Sequence, residues 1–411
     1  MSRDTESPLS GLKVIEIGVA MAGPYCGLML ADYGADVIKV ERKGRGDESR
    51  HWPPYFSESL SHYFASVNRN KRSLALDLKS DQGKMALRRL ASDADVLIDN
   101  FRPGALDALG LGYDDLCVVN ERLIYCSISG FGVTGPRRDE RANDLVMQAY
   151  AGGMSLTGEP GGGPVRMGIS VADIGAGMFA TIGILMALEV RRRTGLGQRV
   201  DTSLLEGQVA MMANHFASYY SSGQPPRRRG SAGPGMVPYQ AFQTQDDWIV
   251  IASFTERMWR GVARAVEHPE WGEDPKFQNS SVRLKYRDEL VAMLSAVLVA
   301  RPAAEWQARL AAEGVPVTRV NTIDQVAADA QVASREMRVS IEHPEAGPIE
   351  MSGLPIKFSR TPGMVRSPPP SLGEHTFEIL RELGMDASMK DGDKRAVGLH
   401  MPESTPERGS E

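Results

Sequence analysis

The chain has few of the residues that announce a metal or disulfide centre. Its 411 residues include three cysteines, Cys26, Cys117 and Cys126, and seven histidines, and neither set shows the spacing of a zinc site. A sparse, odd cysteine set fits a reducing cytosol, with the thiols packed as small apolar side chains. No G-x-S-x-G elbow occurs, which argues against a serine hydrolase, and no P-loop is present. The opening residues Met1–Pro8 are polar and carry no signal core. The longest apolar stretch, about 174–190, is interrupted by Gly175, Gly177, Gly183 and Glu189 and reads as too short and too broken to span a membrane. Charge of neither sign dominates. The net charge is −5, with 47 basic and 52 acidic residues interspersed, so nothing suggests a nucleic-acid surface. The short clusters Arg191–Arg193 and Arg227–Arg229 read as a solvated helix end and a solvated loop. These absences predict a cytoplasmic protein with neither a nucleic-acid nor a membrane partner.

What is present is a repeated strand–helix pattern. Leu12–Ile17 alternates and is rich in β-branched residues, Pro24 starts a helix that Gly34 ends, and Val37–Glu41 is a second strand. Further strands are predicted at 73–78, 96–100 and 123–128, with a helix capped by Ser80 or Asp81 between the first two. Alternating β and α predicts an α/β fold with a mainly parallel, Rossmann-like sheet. From about 143 to 220 the helical period dominates, interrupted by the glycine-rich turn 158–164. A Pro-, Gly- and Arg-rich linker at 223–235 leads to a second, smaller α+β unit with strands near 248–252 and 315–320. Beyond 386 the sequence is polar and reads as a disordered tail.

Several chemistries can be weighed against this frame. A nicotinamide dehydrogenase with Glu41 on the ribose fails because Gly18, Gly23 and Gly27 are too widely spaced for G-x-G-x-x-G. Basic and polar clusters stand at strand ends instead: 41–44, 68–72 and 99–104. Strand C-ends are where open α/β sheets bind ligands, and Arg and Lys there suit a phosphorylated one, with Phe101 able to cover an adenine face. Asp173 stands between an apolar run and Gly175 and Gly177, at or near a helix start. Locally it is either a helix cap or a carboxylate nucleophile, and the two glycines suggest that something approaches the backbone closely.

The motifs together resemble the class III CoA-transferases, the group containing formyl-CoA, carnitine and bile-acid CoA-transferases. The markers are Leu12–Ile17 with Ala22–Pro24, Gly34–Glu41, Asn70–Ser73, Asn100–Gly104, Ser129–Gly132, Asp144–Gln148 and Leu372–His375. The resemblance implies ring-shaped subunits interlocked as a homodimer. Residues 1–222 would form the first part of a large CoA-binding domain, 223–338 a linker and small domain, and 339–385 a return that completes the large domain. It implies Asp173 as nucleophile and Arg42, Lys71, Arg72, Asn100, Phe101 and Arg102 as CoA contacts. It implies no metal and no tightly bound cofactor, with coenzyme A and acyl-CoA acting as substrates. Gly175 and Gly177 would leave room for N–H groups that stabilise oxyanions. The α-methylacyl-CoA racemases share the fold, but their histidine is matched here by Asn143, which cannot exchange a proton near neutral pH. Met21 and Ser129 depart from the formyl-CoA enzymes. Those departures argue against formyl-CoA with oxalate, and the resemblance, through how common such members are in the family, implies a short-chain dicarboxylate acceptor with a succinyl-CoA donor. A racemase-like or lyase activity, or CoA binding without catalysis, is the alternative.

Overall fold

The computed structural model describes residues 7–385, so the tail expected from 386 onward lies outside the described residues. Two compact units are present. The larger takes the residues up to Ala151, Gly168–Phe216 and those from Ser334, and the smaller takes Gly152–Met167 and Ala217–Ala333.

The larger unit is built on strands β1 (Lys13–Ile17), β2 (Asp36–Arg42), β3 (Lys71–Leu76), β4 (Val96–Asp99), β5 (Ile124–Ser129) and β6 (Arg199–Ser203). They form one six-stranded sheet in the order β3-β2-β1-β4-β5-β6, and every pair is parallel. The order reverses between β1 and β4, so the segments that follow these two strands flank the crevice where such sheets take ligands. The helices used below are α1 (Ala22–Asp32), α2 (His62–Asn68), α3 (Asp81–Asp93), α4 (Asp144–Tyr150), α5 (Val171–Thr194) and α6 (Leu204–Met211).

Alternation along the strands divides the core in two. Val14, Val37, Val96, Ile124 and Ile128 point to one face and bury Cys26 and Leu30 of α1 and the alanines of α5. Ile15, Ile38, Leu74 and Leu97 point to the other, against Leu87 and Leu90 of α3. A parallel sheet needs both faces covered, and the sequence supplies apolar residues to both.

In the smaller unit, strands β7 (Tyr239–Gln243), β8 (Trp248–Ala252) and β9 (Val317–Arg319) form an antiparallel sheet. Helices α7 (Glu256–Ala265), α8 (Arg287–Leu298) and α9 (Ala303–Ala312) pack Trp259, Leu294 and Trp306 against it. The chain then returns to the larger unit through the hairpin β10 (Arg338–His343) and β11 (Gly347–Ser352), and ends in α10 (Thr376–Glu382). Ile379 and Leu380 of α10 join the second half-core beside Ile38 and Leu74.

Three expectations change here. The apolar run is not too short to span a membrane: α5 has 24 residues, and an 18-residue window of it has a mean hydropathy of 1.9. Its buried alanines and Gly177 instead pack it into the sheet's helix layer, with 44% of its apolar window buried. Arg191 is not a solvated helix end but a buried tie, donating to Asp95 Oδ1 at 2.8 Å and to the Arg122 carbonyl at 3.1 Å. Arg228 is likewise engaged, with Nη1 3.0 Å from the Gly162 carbonyl.

Candidate active site

Asp173 is the third residue of α5, two places past the N-terminal residue Val171. The cap residue Ser170 makes no side-chain capping bond. That role falls to Asp144, at the start of α4, whose Oδ1 accepts the Ala172 N–H at 2.9 Å. Gln148, one turn on, holds Asp144 Oδ2 at 2.7 Å. Asn143 caps α4 itself, accepting the Val146 N–H at 3.0 Å. The first turn of α5 is therefore pinned by one carboxylate, Asp144, and presents a second, Asp173.

The two influences on Asp173 are burial and the charge of Asp144, and together they raise its pKa to about 7. No cation or donor offsets them. A helix N-terminus favours an anion by about 0.3–1 kcal/mol. A shift from 3.8 to about 7 corresponds to roughly 4 kcal/mol the other way, so burial and repulsion win. The helix start therefore does not keep this group ionised at neutral pH. Asp173 is instead poised to be half-charged near neutrality. Beside it stands Tyr63 of α2, hydrogen-bonded to Ser170, with its phenol pushed up to about 12 by burial and by the charges of Asp173 and Asp144. Trp52 packs edge-on against Tyr63, with ring centroids 4.9 Å apart.

The crevice at the sheet's reversal is walled by the turn after β1 and the loop after β4. Asn100 joins them: its Oδ1 accepts the Val19 N–H and its Nδ2 donates to the Val19 carbonyl, both at 2.9 Å. Asn100, Phe101 and Arg102 line an open cavity of about 340 Å³ together with Gly130, Arg138 and Asn143. Arg102 is exposed and makes no ion pair among the described residues, and the same is true of Arg42 at the end of β2. The structure thus brings Asn100, Phe101 and Arg102 together and leaves two free guanidiniums on the larger unit.

Lys71 and Arg72 are placed otherwise. Lys71 is buried, and its three N–H groups go to Glu16 at 2.7 Å, the Pro24 carbonyl at 2.8 Å and Asn68 Oδ1 at 2.9 Å. Arg72 binds Asp36 on β2 and Glu378 and Glu382 on α10 at 2.7–3.0 Å. Counter-charges brought in by the fold already pair both side chains, so neither stands as a free cation for a ligand. Glu41, weighed above as a ribose ligand, is consumed by Arg50 and Ser73 at 2.7 Å each.

The glycines after Asp173 also find a different use. A Cβ on Gly177 would stand 2.7 Å from the Ala22 carbonyl of α1, and one on Gly175 would meet Met211 of α6. The close approach they permit is between helices. Tyr63 was missed from sequence because it lies 110 positions away from Asp173, and no linear signal joins them.

The model of CoA-transferase family III matches residues 9–376. The chain is 38% identical over 382 residues to the succinate–glutarate CoA-transferase of Agrobacterium fabrum, covering 92% of this chain and 96% of that one. It is 37% identical over 380 residues to the succinyl-CoA:glutarate CoA-transferase of Mus musculus, covering 92% and 87%. The crystal structure of a CAIB/BAIF family protein from Brucella suis superposes with a TM-score of 0.82 at 38% identity, covering 92% of this chain and 100% of that one. With the parallel sheet, the motifs along the chain and a match over nearly all of the described residues, the protein belongs to CoA-transferase family III.

Proposed function

We propose that the protein transfers CoA from succinyl-CoA to a short-chain dicarboxylic acid through covalent intermediates on Asp173. The observation that carries this reading is an unpaired, half-buried carboxylate with a pKa near 7 on a pinned helix turn. In its ionised form Asp173 attacks the thioester carbonyl. The C–S bond breaks, leaving an acyl-aspartyl anhydride and CoA thiolate. The thiolate attacks the aspartyl carbonyl and expels the donor carboxylate, giving an aspartyl-CoA thioester. The acceptor carboxylate displaces the thiolate to form a second anhydride, and the thiolate attacks its acceptor carbonyl and frees Asp173. Each step exchanges one acyl link for another, with no net proton and no ATP. A weakly solvated carboxylate is the better nucleophile, which is what burial of Asp173 provides.

Arg42, Asn100, Phe101 and Arg102 are the proposed CoA contacts, with the guanidiniums on phosphate and the ring on adenine. Lys71 and Arg72 belong to the framework instead. The donor and acceptor classes come from the relatives' substrates, succinyl-CoA and glutarate. Asn143 caps α4 and supplies no proton-transferring group, which disfavours the racemase reading. An interlocked homodimer is supported by an exposed apolar stripe on α5, Met178, Phe179, Ile182, Leu185 and Met186, the last 65% accessible. A cytoplasmic location fits the buried free thiols Cys26 and Cys126.

The test is a matrix of acyl-CoA donors against dicarboxylates read by mass spectrometry, with hydroxylamine trapping of donor-treated enzyme. Trapping at Asp173, lost in Asp173→Ala, is the expected result. A label elsewhere, or transfer by the variant, overturns the mechanism.

A further inference from the structure

Beneath the turn that joins β1 to α1 lies a set of buried charges that the proposed chemistry does not use. Glu16, Lys39, Asp47 and Lys71 are each at most 1% exposed. Glu16 bridges the two lysines, with Oε1 2.8 Å from Lys39 and Oε2 2.7 Å from Lys71. Lys39 also meets Asp47 at 3.0 Å. The two acids balance the two bases. Gly27 of α1 makes the arrangement possible, since a Cβ there would overlap Glu16 Oε2. A buried charge set of this kind is weak evidence for stability, because the charges lose their hydration. Its bonds outward show what it holds.

The bonds to the backbone reach the β1–α1 turn and the first turn of α1. Lys39 donates to the Gly18 carbonyl at 2.7 Å and Lys71 to the Pro24 carbonyl at 2.8 Å. Both oxygens of Asp47 accept the Ala20 N–H, at 3.1 and 3.2 Å. Asp47 is itself fixed by the Ser49 N–H at 2.9 Å and the Ser49 hydroxyl at 2.8 Å. Burial works against its charge, but Lys39 and the Ser49 and Ala20 N–H groups prevail and hold it at about 2. Ala20 is the residue that needs holding. Its φ is +61°, in the left-handed region that an alanine seldom enters. A fixed anion aimed at its N–H, with lysines on the carbonyls either side, is a physical cause for that conformation. The preceding residue, Val19, is the one Asn100 grips through both backbone groups.

We infer that Glu16, Lys39, Asp47 and Lys71 are positioning residues, with Asp47 setting the CoA affinity of the crevice by holding Ala20 left-handed. The inference rests on the reading of this crevice as the CoA site. The quartet touches no substrate and acts through the backbone of residues 18–24. Without Asp47, Ala20 relaxes to an ordinary conformation and the wall facing the ligand is formed only part of the time.

The experiment uses the full-length enzyme, free CoA as the probe in calorimetry, succinyl-CoA with glutarate in kinetics, and amide hydrogen exchange on residues 18–21. For Asp47→Asn, CoA binding weakens about tenfold, the factor by which the left-handed conformer of an alanine is depopulated once nothing holds it. KM rises in parallel, kcat at saturation stays within about twofold, and residues 18–21 exchange faster. Adding Ala20→Gly restores most of the affinity, because glycine enters the left-handed region about as readily as the right-handed one.

A role confined to stability lowers the melting temperature of Asp47→Asn without moving KM or exchange at 18–21, and that result overturns the inference. So does a double variant that binds no better than Asp47→Asn. Where Asp47→Asn does not fold, Ser49→Ala removes one of Asp47's bonds without its charge. Unchanged exchange at 18–21 in that variant overturns the inference as well. Exchange reports on the turn whether or not CoA binds there. A wild-type enzyme that does not bind CoA therefore refutes the reading of the crevice while the positioning role is still decided.

Discussion

Two aspartates of the larger unit, one buried and one half-buried, have opposite fates. Asp47, under the β1–α1 turn, meets Lys39, the Ala20 N–H and two groups of Ser49, and is held down at about 2. Asp173, at the start of α5, meets no donor and faces Asp144, and is pushed up to about 7. Burial acts in the same direction on both. What separates them is whether the fold supplies partners for the charge once water is gone. The supplied carboxylate is part of the framework, while the unsupplied one can form a bond to carbon. The lesson is one of assignment: in this fold a carboxylate's partners say more about its role than its depth does.

Removing the chemistry at one pole of this contrast gives the largest effect. Asp173→Asn lowers CoA transfer on the order of 10⁴-fold or more, measured with saturating donor and acceptor. The same variant unfolds at higher urea than the parent at pH 8, because it deletes a buried charge without partners. Equal urea midpoints at pH 8 would mean that Asp173 is not strained.

Breaking the other pole costs stability. Glu16→Ala strands Lys39 and Lys71 and destabilises by about 3–5 kcal/mol in urea denaturation. A loss under 1 kcal/mol would mean that the lysines find other partners.

The pH dependence sharpens the contrast. The folded Asp173 keeps its proton to about pH 7, whereas the unfolded group releases it near 3.8. Its contribution to stability therefore falls as pH rises between those values, by roughly 4 kcal/mol at most, and is flat above 7. Asp47 runs the other way. Its folded pKa of about 2 lies below the ordinary 3.8, so its contribution of about 2 kcal/mol is present above pH 4 and lost as pH falls through 2. For activity, kcat/KM rises with pH and levels off above about 7 as Asp173 ionises. A profile flat from pH 5 to 8 would remove Asp173 as the group that must be charged.

The smallest effects separate ligand contacts from framework. Arg102→Ala raises KM for the acyl-CoA donor about tenfold with little change in urea midpoint. Arg72→Ala leaves KM alone and costs about 1 kcal/mol, since its partners on β2 and α10 are partly solvated. The reverse pattern would return Arg72 to the ligand set.

Much of this was legible in the sequence. Five of the six parallel strands announced themselves by alternation and β-branched residues, and the motif set carried the family. Strand β6 did not. It reads Arg199-Val200-Asp201-Thr202-Ser203, with one strongly apolar residue, because an edge strand has only one neighbour and needs little apolar surface. Asp173 stood out in the sequence as the candidate nucleophile, but its raised pKa did not. Its pKa depends on Asp144, which stands at the head of another helix and contributes only once α4 packs on α5. Lys71 was misread for a related reason. A charge cluster before a strand looks like a ligand grip until β1 places Glu16 beneath it. The glycines were recognised as sites of close approach, but the approaching partner, the Ala22 carbonyl, belongs to a helix 150 positions earlier. Linear sequence shows which side chains can make an interaction, and tertiary structure decides which of them are already engaged.

Helix α10 closes the larger unit from the far end of the chain. Ile379 and Leu380, with Met385, complete a half-core whose other buried members lie between Ile15 and Tyr125, and Asn70 N–H bonds the Ser367 carbonyl at 3.0 Å. During synthesis at about 5–20 residues per second, the first strands therefore wait tens of seconds for that last helix. Through that interval the apolar face it covers is open to chaperones and to misassembly, and the sheet is sealed only once α10 has been made.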